Sequence, residues 1–129
     1  MLYIVVRIFK NIWFARFARK EGITDYKLRE AVGQLETGQT FANLGGGVYK
    51  LRVARIGQGK SGGYRVILFF MNKRRAFYHY AYPKSTRGNI SRRELSVFKK
   101  LAKWHFAMTD EQLADALKTG VFEEIQEEK

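Results

Sequence analysis

Val48-Tyr-Lys-Leu-Arg-Val-Ala-Arg-Ile-Gly-Gln-Gly-Lys-Ser-Gly-Gly-Tyr-Arg-Val-Ile-Leu-Phe-Phe-Met71 is the stretch on which this chain is organised. Two runs rich in β-branched and aromatic residues flank the loop Gly57 to Gly63, which predicts a β-hairpin. The loop has four glycines in seven residues, so its backbone can adopt conformations closed to other residues and leave its N–H groups accessible. The first run, Val48 to Ile56, carries Lys50, Arg52 and Arg55, and the second opens with Arg65. Strand side chains alternate faces, so Lys50 and Arg52 share one. With Lys60 in the loop, the hairpin gathers cations at one end of a sheet. An anion site rich in arginine suits phosphate.

Gly59-Lys60-Ser61 imitates the end of a phosphate-binding P-loop, but the pattern also needs Gly at position 54, where this chain has Ala54. It further needs a helix after the loop to offer N–H groups to phosphates, and Tyr64 to Phe70 reads as a strand. Nucleotide hydrolysis is therefore disfavoured.

The composition narrows the partners. The chain has 129 residues, 46% of them hydrophobic, enough for one domain with a modest core. It has no cysteine and only two histidines, which excludes disulfides, thiolate metal sites and a histidine-rich metal site, and suits a reducing compartment. The net charge is +12 and uneven. Residues 110–129 hold seven acids and two lysines, a balance of −5, which leaves +17 for residues 1–109. A basic body with a pI near 10.1 points to nucleic acid, an anionic membrane surface or an acidic protein. No apolar run approaches the ~18 residues of a membrane span. The opening Met-Leu-Tyr-Ile-Val-Val breaks at Arg7, too soon for a secretory signal. Five bases and no acid in the first 20 residues resemble a mitochondrial presequence, yet the same residues make a good strand and helix.

The remaining elements follow from periodicity. Leu2 to Ile8 predicts a strand, and Phe9 to Lys20 a helix with Phe9, Trp13 and Phe17 on one stripe, stopped by Gly22. Thr24 caps a second helix with Leu28, Ala31, Val32 and Leu35 inward, ended by Gly38. Gln39 to Gly47 is expected to be a loop. Ala76 to Tyr82 predicts a third strand, with Phe77, His79 and Ala81 on one face, Tyr78, Tyr80 and Tyr82 on the other, and Pro83 as its end. Ser91 to Glu94 fits a capping box and opens a helix with Leu95, Phe98, Leu101, Ala102 and His105 inward. Thr109 to Gln112 opens a short acidic helix that Gly120 stops, and Val121 to Lys129 reads as a loosely held tail. His79 and His105 are expected in the core, and Trp13 and Trp104 in packing.

The expected fold is α+β: an antiparallel meander with an N-terminal helix pair on one face, C-terminal helices, and the basic hairpin residues left on the other face. Residues 1–109 are expected to form one domain, with 110–129 as an acidic helical extension of it, either solvated or folded back over the basic face.

Lys50-x-Arg52-Val-Ala-Arg55 followed by Gly57-x-Gly59-Lys60-Ser-Gly-Gly-Tyr64-Arg65 resembles the RelE/HigB group of bacterial type II toxins. Phe14-Ala-Arg-Phe-Ala-Arg-Lys-Glu-Gly22, Asn43-Leu-Gly-Gly-Gly47 and Tyr82-Pro-Lys84 with Arg87 and Asn89-Ile90 extend the likeness over residues 9–106. The phage-associated branch of the group, whose members often carry such a C-terminal extension, is the nearest. The resemblance implies a RelE-like fold and a cytoplasmic toxin that enters the ribosomal A site and cleaves mRNA, with neither metal nor cofactor. It also implies a cognate antitoxin, often a helix-turn-helix protein, with operator DNA met only through the antitoxin complex. By motif position, Lys50, Arg52, Arg65, Lys60 and Lys84 would be catalytic, and Arg55, Arg87, Tyr80 and Tyr82 would bind RNA.

Such cleavage needs a base for the 2′-hydroxyl, charge stabilisation at phosphorus and an acid for the leaving 5′-oxygen. Clustered cations lower one another's pKa, so a lysine among arginines can act as a base. The family's tyrosine at the start of the last helix is missing: Asn89-Ile-Ser-Arg-Arg93 stands there, and Tyr80 or Tyr82 is the available substitute. The alternatives are a ParE-type gyrase inhibitor on the same superfamily fold and a non-catalytic RNA- or DNA-binding module.

Overall fold

The computed structural model describes residues 6–38, 42–54, 63–71 and 74–126. Its elements, in chain order, are β1 (Arg7–Asn11), α1 (Ile12–Glu21), α2 (Asp25–Glu36), β2 (Ala42–Gly45), β3 (Val48–Val53), β4 (Tyr64–Met71), β5 (Arg75–Pro83), α3 (Arg92–Phe106), α4 (Asp110–Lys118) and β6 (Phe122–Ile125). The six strands form one sheet in the order β2-β3-β4-β5-β1-β6. The fold is α+β, as expected, and compatible with a RelE-like architecture.

The meander β2–β5 is antiparallel, but β1 pairs parallel to β5, with Arg7 opposite Arg75 and Lys10 opposite Tyr78. The sheet is therefore mixed. The expected strand Leu2 to Ile8 survives as β1, shifted toward the C-terminus, and its positions 2–5 lie outside the described residues. Phe9, expected on a helix, sits in β1 because it fills the core against Phe77, ring centroids 5.2 Å apart. Asn11 ends the strand: its side-chain oxygen accepts from Phe14 N at 2.7 Å and caps α1. The expected stops and caps at Gly22, Thr24, Ser91 and Thr109 are all in place.

Helices cover both faces, which corrects the expectation of one basic face. On one side α1 and α2 pack Phe14, Ala18, Leu28 and Val32 against Leu51, Val66, Leu68 and Tyr78. On the other, α3 and α4 place Phe98, Ala102 and Leu113 over Phe9, Val48, Ile67, Phe69 and Phe77. This explains why β4 is buried on both faces from Tyr64 to Phe70 and shows no alternation in sequence. Trp13 is half-exposed but stacks on Phe17 and Tyr80, whereas Trp104, expected in packing, is 69% exposed.

The tail expected to be loose is instead a strand. β6 pairs antiparallel with β1, and its acids are held there: Glu124 by Arg7 at 2.8 Å and Glu123 by Arg19 at 3.2 Å. Asp110, at the start of α4, meets Arg75 at 2.6 Å. Among the described residues, these C-terminal acids neutralise cations at the β1 side of the sheet and none pairs with the hairpin cations.

His79 and His105, expected in the core, are half-buried against it on the α3 side. The His79 ring stacks on Phe69 (centroids 4.7 Å apart) and meets Phe98 and His105 edge-on. Asn11 Nδ2 donates to His79 O at 2.9 Å and lies 3.3 Å from His79 Nδ1, which accepts in the neutral ring. Burial first, and the neighbouring His105 second, push the His79 pKa down to about 4, and burial lowers that of His105. The unfolded chain binds a proton at His79 below about pH 6.5, which the folded chain refuses until about pH 4. Stability is thus fully present above about pH 6.5 and is lost as the pH falls toward 4. At most about 2 kcal/mol should disappear between pH 7 and pH 5. Urea unfolding at the two pH values should show that loss, and His79→Phe should reduce it.

Candidate functional site

The hairpin cations gather where the sheet extends past the N-terminus of α3. On β3, Leu51 and Val53 turn to the α1/α2 core and Val48 to the α3 core, so Lys50 and Arg52 share the α3 face. On β4, Ile67 and Phe69 mark the same face, which places Arg65 there. Arg52 and Arg65 are direct cross-strand partners, and Arg65 in turn faces Tyr82 on β5. The next row reads Lys50, Ile67, Tyr80.

Tyr80 and Tyr82 reach this face because of an irregularity. Tyr80 opposes Ile67 while Tyr78 opposes Leu68, so one extra residue, His79, is inserted in β5. Before the bulge, Tyr78 points into the α1/α2 core, where its hydroxyl donates to Leu28 O at 2.6 Å. After it, Ala81 takes that side, and His79 and Tyr80 pack on the α3 side. Strict alternation put Tyr78 with Tyr80 and Tyr82, and His79 opposite them; the bulge overturns both assignments. No residue in AFYHYAY announces it.

The residues differ in burial. Arg52 is exposed, Lys50 is half-buried with its Nζ donating to Asn89 Oδ1 at 3.1 Å, and Arg65 is only 7% exposed. Lys84 lies in the exposed turn after β5, where its backbone N–H donates to Gly63 O at 3.4 Å. The guanidinium of Arg87 lies over the Tyr82 ring, 5.0 Å from its centroid. Both its Nη atoms donate to Glu94, at 3.0 and 2.6 Å. Arg55 and Lys60 lie outside the described residues.

Glu94 was legible only as half of a capping box. It also ties the Lys84–Ile90 loop to α3: its Oε1 accepts from Ser91 N at 2.9 Å and from Arg87 Nη2. Arg87 first, and the Ser91 backbone second, hold the Glu94 carboxyl down to about 2, so it stays ionised. The same hydrogen bond raises the Arg87 pKa. Asn89 and Glu94 are the residues there to which motif matching gave no role.

Among the described residues, no carboxylate pairs with Lys50, Arg52, Arg65 or Lys84. Two polar atoms there are buried and have no hydrogen-bond partner: Arg65 Nη1 and the Tyr82 hydroxyl. A buried guanidinium with an unpaired Nη1 and a second arginine beside it is costly to maintain, and an arriving anion would relieve the cost. The arrangement has the charge and the open hydrogen-bonding capacity that an anion would meet.

The family model for the RelE toxin of RelE/RelB toxin–antitoxin systems matches residues 6–125. The chain belongs to the RelE toxin family: it is the toxin of a toxin–antitoxin pair, and the family implies a cognate antitoxin as its partner. Comparison with individual curated proteins returns no match. No described helix is long and apolar enough to cross a membrane.

Proposed function

We propose that this toxin is an endoribonuclease that cuts mRNA in the ribosomal A site by attack of a 2′-hydroxyl on the adjacent phosphate. The observation that carries this reading is Arg65, a buried guanidinium with an unpaired Nη1, set between Arg52 and Tyr82. A dianionic phosphorane is the kind of charge such a group serves, since preorganised donors act most strongly where water is excluded. Lys50, steadied by Asn89, adds charge on the same face, and Lys84 and Arg87 border it. Arg55 and Lys60 belong to the same proposal on motif position alone. Tyr80, half-buried and stacked on Trp13 at 5.0 Å, offers an aromatic surface toward RNA.

The toxin then acts in the cytoplasm, on the ribosome and its mRNA. Its antitoxin is a helix-turn-helix protein, and operator DNA is met only through their complex. Placement in the phage-associated branch rests on the sequence motifs.

The test is induction of the chain in bacteria without antitoxin, with mapping of new mRNA 5′ ends. Growth arrest with cuts inside translated codons is the expected result. Arrest with intact mRNA would overturn the reading and move the target to gyrase. Absence of arrest would leave a basic nucleic-acid-binding module.

A further inference from the structure

The two unpartnered buried atoms belong to residues that face each other across the sheet. Arg65 and Tyr82 are cross-strand partners on β4 and β5, and both are more than nine-tenths buried. Directly opposed side chains in a sheet have Cβ atoms about 5 Å apart, within reach of a shared ligand atom. Each unsatisfied buried polar group is costly to the fold. The fold could relieve the cost by letting the hydroxyl accept from the guanidinium, yet Nη1 and the hydroxyl remain unpaired.

We propose that the Tyr82 hydroxyl is a catalytic hydrogen-bond donor that, with Arg65 Nη1, forms a two-donor pocket for a non-bridging oxygen of the scissile phosphate. For the reaction this rests on the ribonuclease reading above; for the anion site it rests on the two unpaired donors. Burial raises the Tyr82 pKa, and the guanidiniums of Arg87 and Arg65 only partly oppose it. The hydroxyl therefore keeps its proton near neutral pH and donates rather than abstracts. It stands in for the absent tyrosine of the last helix as a stabiliser of charge and not as a base.

Arg87 borders this pocket. Arg87 lies on the Tyr82 ring and is held by Glu94 in a partly exposed ion pair.

The test compares the full-length chain with Tyr82→Phe, which removes the hydroxyl and keeps the ring. Two quantities are read: single-turnover mRNA cleavage on programmed ribosomes, and the rise in Tm on adding inorganic phosphate. The variant should cleave about 100-fold more slowly, as for loss of one preorganised donor. It should be at least as stable as the wild type, and its phosphate-induced rise in Tm should be much smaller. Wild-type cleavage rates in the variant would overturn the catalytic role, and equal phosphate stabilisation would overturn the pocket. If the wild type cleaves no RNA, the ribonuclease reading and the catalytic role fall together. A phosphate-induced rise lost in the variant would then still support the two-donor site.

Discussion

Arg65→Met should cost about 10³-fold in mRNA cleavage while leaving the chain as stable as before or more so. The two effects have one cause. In the free protein the guanidinium is buried with an unpaired Nη1, so replacing it with an apolar side chain of similar length removes a desolvation penalty. On the proposed substrate the same group would meet charge that grows toward the transition state, where a lost donor is most expensive. Cleavage assays on ribosomes paired with urea unfolding would read both. Loss of activity together with loss of stability would show Arg65 to be a structural residue, and retained activity would remove it from the site.

Gly63→Ala should unfold the base of the hairpin. A Cβ at this position would collide with the Val53 carbonyl oxygen and come within 2.9 Å of Ala54 Cα. Both obstacles are backbone, so they cannot swing aside. The last rung of the β3–β4 ladder, Val53 opposite Tyr64, would have to open. A loss of about 3 kcal/mol or more is expected, or roughly 10 °C in Tm. Because Tyr64 precedes Arg65, activity should fall as well. Gly33→Ala is the informative contrast. Gly33 lies inside α2 with nothing within 4 Å of the added Cβ, so the change should raise stability by about 1 kcal/mol. Thermal unfolding of the two variants should move in opposite directions.

Much of this could be read from the chain because local chemistry dictated it. The caps at Thr24, Ser91 and Thr109 are short-range hydrogen bonds, and the Lys50–Arg52–Arg65 cluster follows from strand alternation across a hairpin. What escaped depends on pairing at a distance. β6 reads as a tail because Phe122-Glu-Glu-Ile125 is a strand only beside β1, where Arg7 and Arg19 take its glutamates. Phe9 reads as helical because Phe9, Trp13 and Phe17 do recur at helical spacing. The bulge at His79 decides which tyrosines face the site, and it is a property of the β4–β5 register. Glu94 satisfied a capping rule so well that its hold on Arg87 was masked.

The position of β1 also governs when the toxin comes into being. The first described strand is inserted between β5 and β6, so its two neighbours are the last two of the described strands to be made. A chain emerging from the ribosome can close the β2–β5 meander early, but it cannot complete the sheet until residues near 125 are free to pair with residues near 8. Contacts of that sequence separation fold slowly, since loop closure comes before any reward. A polypeptide that stops short of β6 therefore lacks its completed sheet, and the fold closes only once residues near 125 have left the ribosome.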